Sequence, residues 1–457
     1  MKREDDPGNE ERARPMDASG KRFGQLLGET FACSCGRTHV IEPREAIYAD
    51  EALSLLPEIL ARHALGRRAA VLLDERTRAA AGEEALAALK AAHWRSVEVL
   101  VADPAPGHSP VCDDLTLEAL QARIGEVDLF LPVGSGVLCD LGKWLAWERK
   151  LPFVALATAA SMNGYASANI APTLKGVKSL LYARPPGAVV SAPRILEAAP
   201  HELTSAGLGD ILAKSVSTAD WRLNHLLFGD HYCPRAAGLI NDIEPLYLDR
   251  PAAIRRRERE ALAALFEGLL YTGVAMTMAG TSAPSSGGEH MVSHTLDMMA
   301  SVDGREHDLH GRQVGVGTVL TSELYRRVLA LERPAWAAPA PEVDRGFWGT
   351  LAGAVAGEYG QKLERIARAQ EALARPGAWD RLRAELALLV RTPERIRECL
   401  KTAGAASRAE EIRCTRARLE EALAHAHEIR SRFTVLDLAR LAGILPKATG
   451  EIVEAWA

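Results

Sequence analysis

The sequence predicts a two-part α/β protein, with a parallel-sheet domain in its amino-terminal half and an all-helical domain in its carboxyl-terminal half. Two patterns carry this reading. From about Ala46, short apolar runs rich in Val and Leu alternate with Ala- and Glu-rich segments of helical composition, and such alternation implies a parallel sheet covered by helices. After Pro193 the strand-like runs cease and helix formers dominate.

Taken in order, residues 1–30 open with MKREDDPGNEERARPMDASGKR, which mixes charge with Pro and Gly. That composition reads as a disordered tail and has no apolar core to act as a secretion signal. Within residues 31–193 the expected strands are AAVLLD (Ala69–Asp74), SVEVLVA (Ser96–Ala102), VDLFLPVG (Val127–Gly134), FVALAT (Phe153–Thr158) and GAVVSAP (Gly187–Pro193). Residues 194–457 are expected to be helical, in segments such as Arg255–Phe266, Leu363–Ala374 and Ala417–Phe433. The Pro/Ala-rich stretch Pro334–Asp344 reads as a loop inside that part.

The chain has 457 residues, 47% hydrophobic and 25% charged, enough to bury a sizeable core. A net charge of -5 supplies no global basic field for a polyphosphate backbone, so nucleic acid is not expected as a partner. An anionic small substrate would need a local basic pocket. Seven cysteines, an odd number spread widely, do not make a disulfide framework and suit a reducing compartment, so a cytoplasmic location is expected. No run reaches the roughly 18 uninterrupted apolar residues of a membrane span, and no membrane partner is expected.

Four stretches carry candidate chemistry. In PVGSGVLCDLGKW (Pro132–Trp144) a strand ends, two glycines permit a tight turn, and a helix follows. Backbone amides there suit a pyrophosphate, although Gly-X-Gly after a strand is equally an ordinary turn. Asp74, at the end of an earlier strand, suits a ribose hydroxyl and would repel a 2′-phosphate; its alternative role is a helix N-cap. In AGLGDILAKS (Ala206–Ser215), Asp210 and Lys214 stand four apart on one helical face, which alone reads as an ordinary i,i+4 pair.

In GGEHMVSHTLD (Gly287–Asp297), His290 and His294 project from one face, and His310 follows in LHGRQVGVGT. A single histidine on an apolar face is usually a hydrogen-bonded core residue, but three with an upstream aspartate suit a borderline cation such as zinc. CSCGRTH (Cys33–His39) holds ligand-type residues, but its Cys-X-Cys spacing is tighter than a usual zinc knuckle and reads as a structural turn.

GSGVLCD, ATAASMNGYAS, GLGDILAK, GGEHMVSH and LHGRQVGVGT occur in the order and approximate spacing of the glycerol-1-phosphate dehydrogenase family, which this sequence resembles from about Phe31 to Ala439. That family lies within the iron-containing alcohol dehydrogenase and dehydroquinate synthase superfamily. FACSCGRTH and RFTVLDLA resemble the ends of its bacterial branch. The resemblance implies a Rossmann-like NAD-binding domain over residues 31–193 and a helical metal- and substrate-binding domain over 194–457, with the active site in the cleft between them. It implies Asp210, His290 and His310 as metal ligands, with zinc first and nickel or iron as alternatives.

His294 matches the residue lining the substrate site, so catalytic roles fall to His294 and Asp210. Gly134, Ser135, Gly136, Val137 and Leu138 match the pyrophosphate turn, and Thr158, Ser161 and Ser167 match positions touching the cofactor. NAD is favoured, with NADP as the alternative. A homo-oligomer acting in phospholipid metabolism is expected.

Three residues depart from the family pattern. Asn163, in SMNG, replaces a carboxylate expected to contact substrate. Lys214 stands where four-ligand members of the superfamily have a second histidine, leaving three ligands and a cation suited to a substrate phosphate. Arg312 replaces a common glutamate, and the sequence offers no account of it beyond another anion contact. Substrate binding is therefore expected at Asn163, Asp210, Lys214 and His294. The activity implied is interconversion of dihydroxyacetone phosphate and sn-glycerol 1-phosphate with NAD(H). A polyol or alcohol dehydrogenase, and a sugar-phosphate cyclase that uses NAD only transiently, are the alternatives.

Overall fold

The computed structural model describes residues 26–457 apart from 106, 107, 176 and 339. Residues 1–25 of the expected tail lie outside the described residues. The last five, 26–30, are folded rather than disordered: Leu27 is buried, and the Gly28 amide donates to the Ile41 carbonyl at 3.0 Å. Leu26 and Leu27 bring the apolar side chains that the charged stretch before them lacks.

A hairpin of β1 (Thr30–Ala32) and β2 (Thr38–Val40) precedes the main sheet. That sheet comprises β3 (Glu45–Tyr48), β4 (Arg68–Leu73), β5 (Arg95–Leu100), β6 (Leu129–Gly134), β7 (Val154–Ala157) and β12 (Ala188–Ser191), in the order β3-β12-β7-β6-β4-β5. All of its pairings are parallel. Between β7 and β12 lie four two-residue strands: β8 (Asn169–Ile170) pairs with β11 (Leu181–Tyr182), and β9 (Thr173–Leu174) with β10 (Val177–Lys178).

Each of the five expected strand runs overlaps one strand of this sheet, with β4 and β5 starting one residue earlier than expected. They were visible because β4, β6, β7 and β12 are buried almost throughout, which demands unbroken apolar runs rather than alternation. The sixth, β3, is an edge strand of four residues with alternating burial, too short to stand out. Strand order reverses between β4 and β6, so a crevice opens beyond their carboxyl ends, where Asp74 and Ser135 begin the next segments.

From Pro193 onward every regular element among the described residues is a helix. The described residues of the stretch 334–344 are irregular, as expected of a loop. The most apolar helix, Arg259–Ala279, is long and apolar enough to cross a membrane by length and composition alone, yet it is almost wholly buried in the protein core. Around it pack the helices that carry the candidate ligands.

Candidate active site

Helix His201–Leu212 carries Asp210 in its last turn, helix Gly288–Asp303 carries His290 and His294 in its first two turns, and helix His310–Leu329 begins at His310. The first and third cross backbone to backbone. A Cβ added at Gly209 would lie 2.0 Å from the Gly311 carbonyl oxygen, and one at Gly311 would lie 2.0 Å from that of Ala206. Only glycine permits this approach, so main chain sets the spacing between Asp210 and His310, each adjacent in sequence to one of these glycines.

One donor atom from each of Asp210, His290 and His310 lies within 4.8 Å of the other two. Asp210 Oδ1 sits 3.3 Å from His290 Nε2 and has no other hydrogen-bonding partner among the described residues, although it is buried. Its second oxygen accepts the Asn163 amide at 2.7 Å.

The far nitrogens of both histidines are occupied. His290 Nδ1 is 2.8 Å from Glu289 Oε1, which also accepts the Gly287 amide. His310 Nδ1 is 3.0 Å from Ser293 Oγ, which donates to Gln313 Oε1. Such partners fix the ring orientation and leave Nε2 as the free nitrogen. A buried carboxylate oxygen beside two imidazoles oriented in this way fits a divalent metal.

Protonation preferences agree with that fit. Burial opposes a charge on His290, but hydrogen bonds to Asp210 and Glu289 outweigh it and raise the group to about 9, so the pocket favours a cation. Burial, reinforced by His294 and His290, pushes His310 down to about 3. His294 is likewise held well below its usual value by burial and then by Arg430, His290 and Lys178. Both are neutral imidazoles at neutral pH. His294 stacks on His310 with centroids 5.1 Å apart, and its Nδ1 lies 3.9 Å from Asp297 Oδ2.

The triad opens into a cavity of about 1260 Å³ that also meets Ser135, Gly136, Val137, Ser161, Asn163 and Ser167. Ser135 leads into helix Gly136–Arg149 without a side-chain cap, so the first amides of the helix have no side-chain partner there. Four expected cofactor contacts, Asp74, Gly134, Leu138 and Thr158, do not line the cavity. The Leu138 side chain folds back over Gly134, where an added Cβ would meet its Cδ1 at 2.4 Å. Thr158 is buried beneath, and its amide donates to the Gly134 carbonyl at 3.1 Å.

Asp74, expected to meet the ribose, is an N-cap and also lies outside the cavity lining. Its Oδ1 accepts the Thr77 amide at 2.8 Å, and its Oδ2 pairs with Arg76 at 2.9 Å, so its charge is already balanced. Asp74→Ala is expected to lower unfolding stability by about 1 kcal/mol through the lost cap, read as a shift in denaturant midpoint at unchanged slope.

Lys214, expected beside Asp210, is not in the cavity lining either. It is buried, and its Nζ donates to the Pro284 carbonyl at 3.4 Å. Arg312 turns away as well, pairing with Asp308 at 2.9 Å and donating to the Glu411 carbonyl.

The cations that do line the cavity and act on His294 are Arg430 and Lys178. Neither was singled out from the sequence, though the RSRF stretch containing Arg430 adjoins a motif that was. Glu289 and Ser293 were also missed as supporting groups, although they stand inside GGEHMVSH.

Comparison with known proteins bears on this arrangement. Residues 47–200 match the family model described as iron-containing alcohol dehydrogenase. The chain is 28% identical over 421 residues to the glycerol-1-phosphate dehydrogenase [NAD(P)+] of Bacillus licheniformis, covering 92% of this chain and 94% of that one. It is 30% identical over 293 residues to the enzyme of the same name from Pyrococcus furiosus, covering 63% of this chain and 80% of the relative. Among solved structures, a probable glycerol dehydrogenase from Sinorhizobium meliloti 1021 superposes with a TM-score of 0.58 at 18% identity, covering 90% of this chain and 98% of that one.

Proposed function

This chain belongs to the glycerol-1-phosphate dehydrogenase family, and from that premise we propose that it reduces dihydroxyacetone phosphate to sn-glycerol 1-phosphate with NAD(P)H, and catalyses the reverse. The observation that carries the reading is that the Asp210–His290–His310 cluster and the glycine turn at Ser135–Val137 open into one cavity. Asp210, His290 and His310 would hold the divalent metal, with zinc first and nickel or iron as alternatives, while Glu289 and Ser293 keep the rings aimed. Bound there, the metal supplies Lewis-acid polarisation of the substrate oxygen, and the nicotinamide supplies or accepts the hydride.

The other residues handle protons and charge. His294, neutral and facing the cavity, can take a proton from the substrate hydroxyl or pass one from water. Asp297 lies between it and His307, at 3.9 and 3.2 Å, and the His307 side chain is 54% exposed, so these groups lead from the cavity to solvent. Asn163 faces the same cavity, and its side-chain amide nitrogen is buried with no partner among the described residues, which suits a substrate oxygen.

Arg430 and Lys178 supply the local positive charge that an overall acidic chain needs for a phosphate, the role expected earlier of Lys214. Arg76 balances Asp74, so the charge expected to repel a 2′-phosphate is offset, and NADPH is accommodated as well as NADH. We place the enzyme in the cytoplasm as a homo-oligomer; its seven free cysteines support the reducing compartment.

The test is reduction of dihydroxyacetone phosphate and of dihydroxyacetone by the metal-loaded protein, followed through oxidation of NADH and NADPH. Preference for the phosphorylated ketone is expected. Activity confined to dihydroxyacetone would move the reading to a polyol dehydrogenase, and turnover of a sugar phosphate without net NADH loss would move it to a cyclase. Arg430→Met should raise KM for dihydroxyacetone phosphate roughly 10-fold or more, the worth of a charge-assisted hydrogen bond, and leave that for dihydroxyacetone nearly unchanged. Equal losses for both ketones would remove Arg430 from the phosphate site.

A further inference from the structure

We infer that Cys33, Cys35, His39 and Cys233 form a second metal site, structural rather than catalytic, taking a zinc-class dication in a closed set of three thiolates and one imidazole. The sequence spacing of CSCGRTH argues for a mere turn, and the turn is there. The Cys33 amide donates to the Arg37 carbonyl at 2.9 Å and the Gly36 amide to the Cys33 carbonyl at 3.0 Å, with Gly36 at φ +85°. What the local spacing cannot reveal is the fourth member: Cys233, 200 residues away, meets the hairpin.

The four donor atoms all lie within 4.8 Å of one another. Cys33 Sγ is 3.7 Å from Cys233 Sγ, Cys35 Sγ is 3.2 Å from His39 Nε2, and Cys233 Sγ is 3.5 Å from the same nitrogen. A tetrahedral zinc with Zn–S of about 2.3 Å and Zn–N of about 2.0–2.1 Å requires S···S near roughly 3.8 Å and S···N near roughly 3.6 Å. The observed separations fall close to those values. A disulfide between Cys33 and Cys233 would need sulfurs about 2.05 Å apart, and would leave Cys35 and His39 unexplained.

The surroundings are those of a ligand set. His39 and Cys233 are buried. The Ala236 amide donates to Cys233 Sγ at 3.4 Å, a bond that favours thiolate. The His39 ring hydrogen-bonds to the Met278 backbone; because Nε2 faces the sulfurs, Nδ1 is the nitrogen that donates, which fixes the tautomer that coordinates. Three thiolates and a dication carry one net negative charge, and Arg37 and Arg235 stand close enough to act on His39.

Arg37 also donates to the Ala279 carbonyl at 3.1 Å, and Arg37 and His231 line the active-site cavity. The site therefore pins the amino-terminal hairpin to the helical region at the rim of the cleft.

The test uses the full chain produced with zinc and purified under reducing conditions. Elemental analysis should find about two equivalents of metal, with about one retained in His290→Ala, whose catalytic ligand set is broken, and about one in Cys233→Ser. Because Cys233→Ser lies in the core and could fail to fold, cobalt exchange of the otherwise native protein provides a second readout. Thiolate-to-cobalt charge-transfer absorption should appear, which the aspartate and histidines of the catalytic site cannot produce. It should persist in His290→Ala and weaken in the half-buried Cys35→Ser. Absence of that absorption in zinc-free, cobalt-loaded protein would overturn the proposal. So would a native Cys33–Cys233 disulfide, or rapid labelling of all three thiols in the zinc-loaded chain.

Discussion

His290→Ala is expected to abolish metal binding at the Asp210 site and to lower kcat/KM by a factor of roughly 10³ or more, about 4 kcal/mol of transition-state stabilisation. Two effects add. The ring is one of only three donors in the cluster, and its loss leaves Asp210 and Glu289 as buried, mutually repelling carboxylates. The helix itself should survive, since its start is also held by Asp220, which accepts the Gly288 and Val435 amides and the Tyr325 hydroxyl.

Circular dichroism should therefore report an intact fold while metal analysis and turnover both fall. A fully active, metal-replete His290→Ala protein would refute the ligand assignment. Glu289→Gln keeps the ring and its partner's shape but removes the charge, and a milder loss of roughly 10- to 100-fold in metal affinity is expected from it.

Gly209→Ala should be a damaging single methyl group beside the site. The new carbon would fall 2.0 Å from the Gly311 carbonyl oxygen and 3.1 Å from Gly315 Cα, and since the first obstacle is main chain, no side chain can swing aside. The two helices must separate, at a cost of about 1–3 kcal/mol or somewhat more, and Asp210 moves away from His310 as they do. A fall in Tm together with a weaker metal affinity is the expected pair of results. A Tm loss with unchanged affinity would show that the ligand spacing does not depend on this crossing. The glycine's role is invisible to its own conformation, because it sits in an ordinary helix; only the neighbour's backbone makes it necessary.

That case illustrates what was legible in the sequence. The parallel sheet could be read because four of its strands are buried almost throughout and must be apolar almost throughout. The metal cluster was named through ordered motifs, whereas the i,i+4 spacing of His290 and His294 alone could not say which ring joins Asp210. Lys214 lies four residues after Asp210, but its Nζ is taken up by the Pro284 carbonyl, a segment that spacing along a helix does not reveal.

For Asp74 the N-cap alternative prevails over the ribose contact, and Arg76, two residues on, balances its charge. Arg430, Lys178 and Cys233 come to their sites from segments far apart in the chain, and no local pattern announces such meetings. Glu289 and Ser293 stand inside a legible motif, but their part in orienting the rings rests on side-chain geometry that spacing does not carry.

The single cavity shared by the Ser135–Val137 turn and the Asp210 cluster has a kinetic consequence. At about 1260 Å³ it exceeds the roughly 300–1,000 Å³ of a typical one-ligand pocket, so on the proposed function it has room for dinucleotide and ketone side by side. On that reading hydride passes directly between nicotinamide and ketone, so neither can finish its half of the reaction and leave before the other arrives. Initial-rate plots should therefore intersect, as for a sequential ternary-complex mechanism, and the substrate's apparent affinity should depend on how much dinucleotide is already in place.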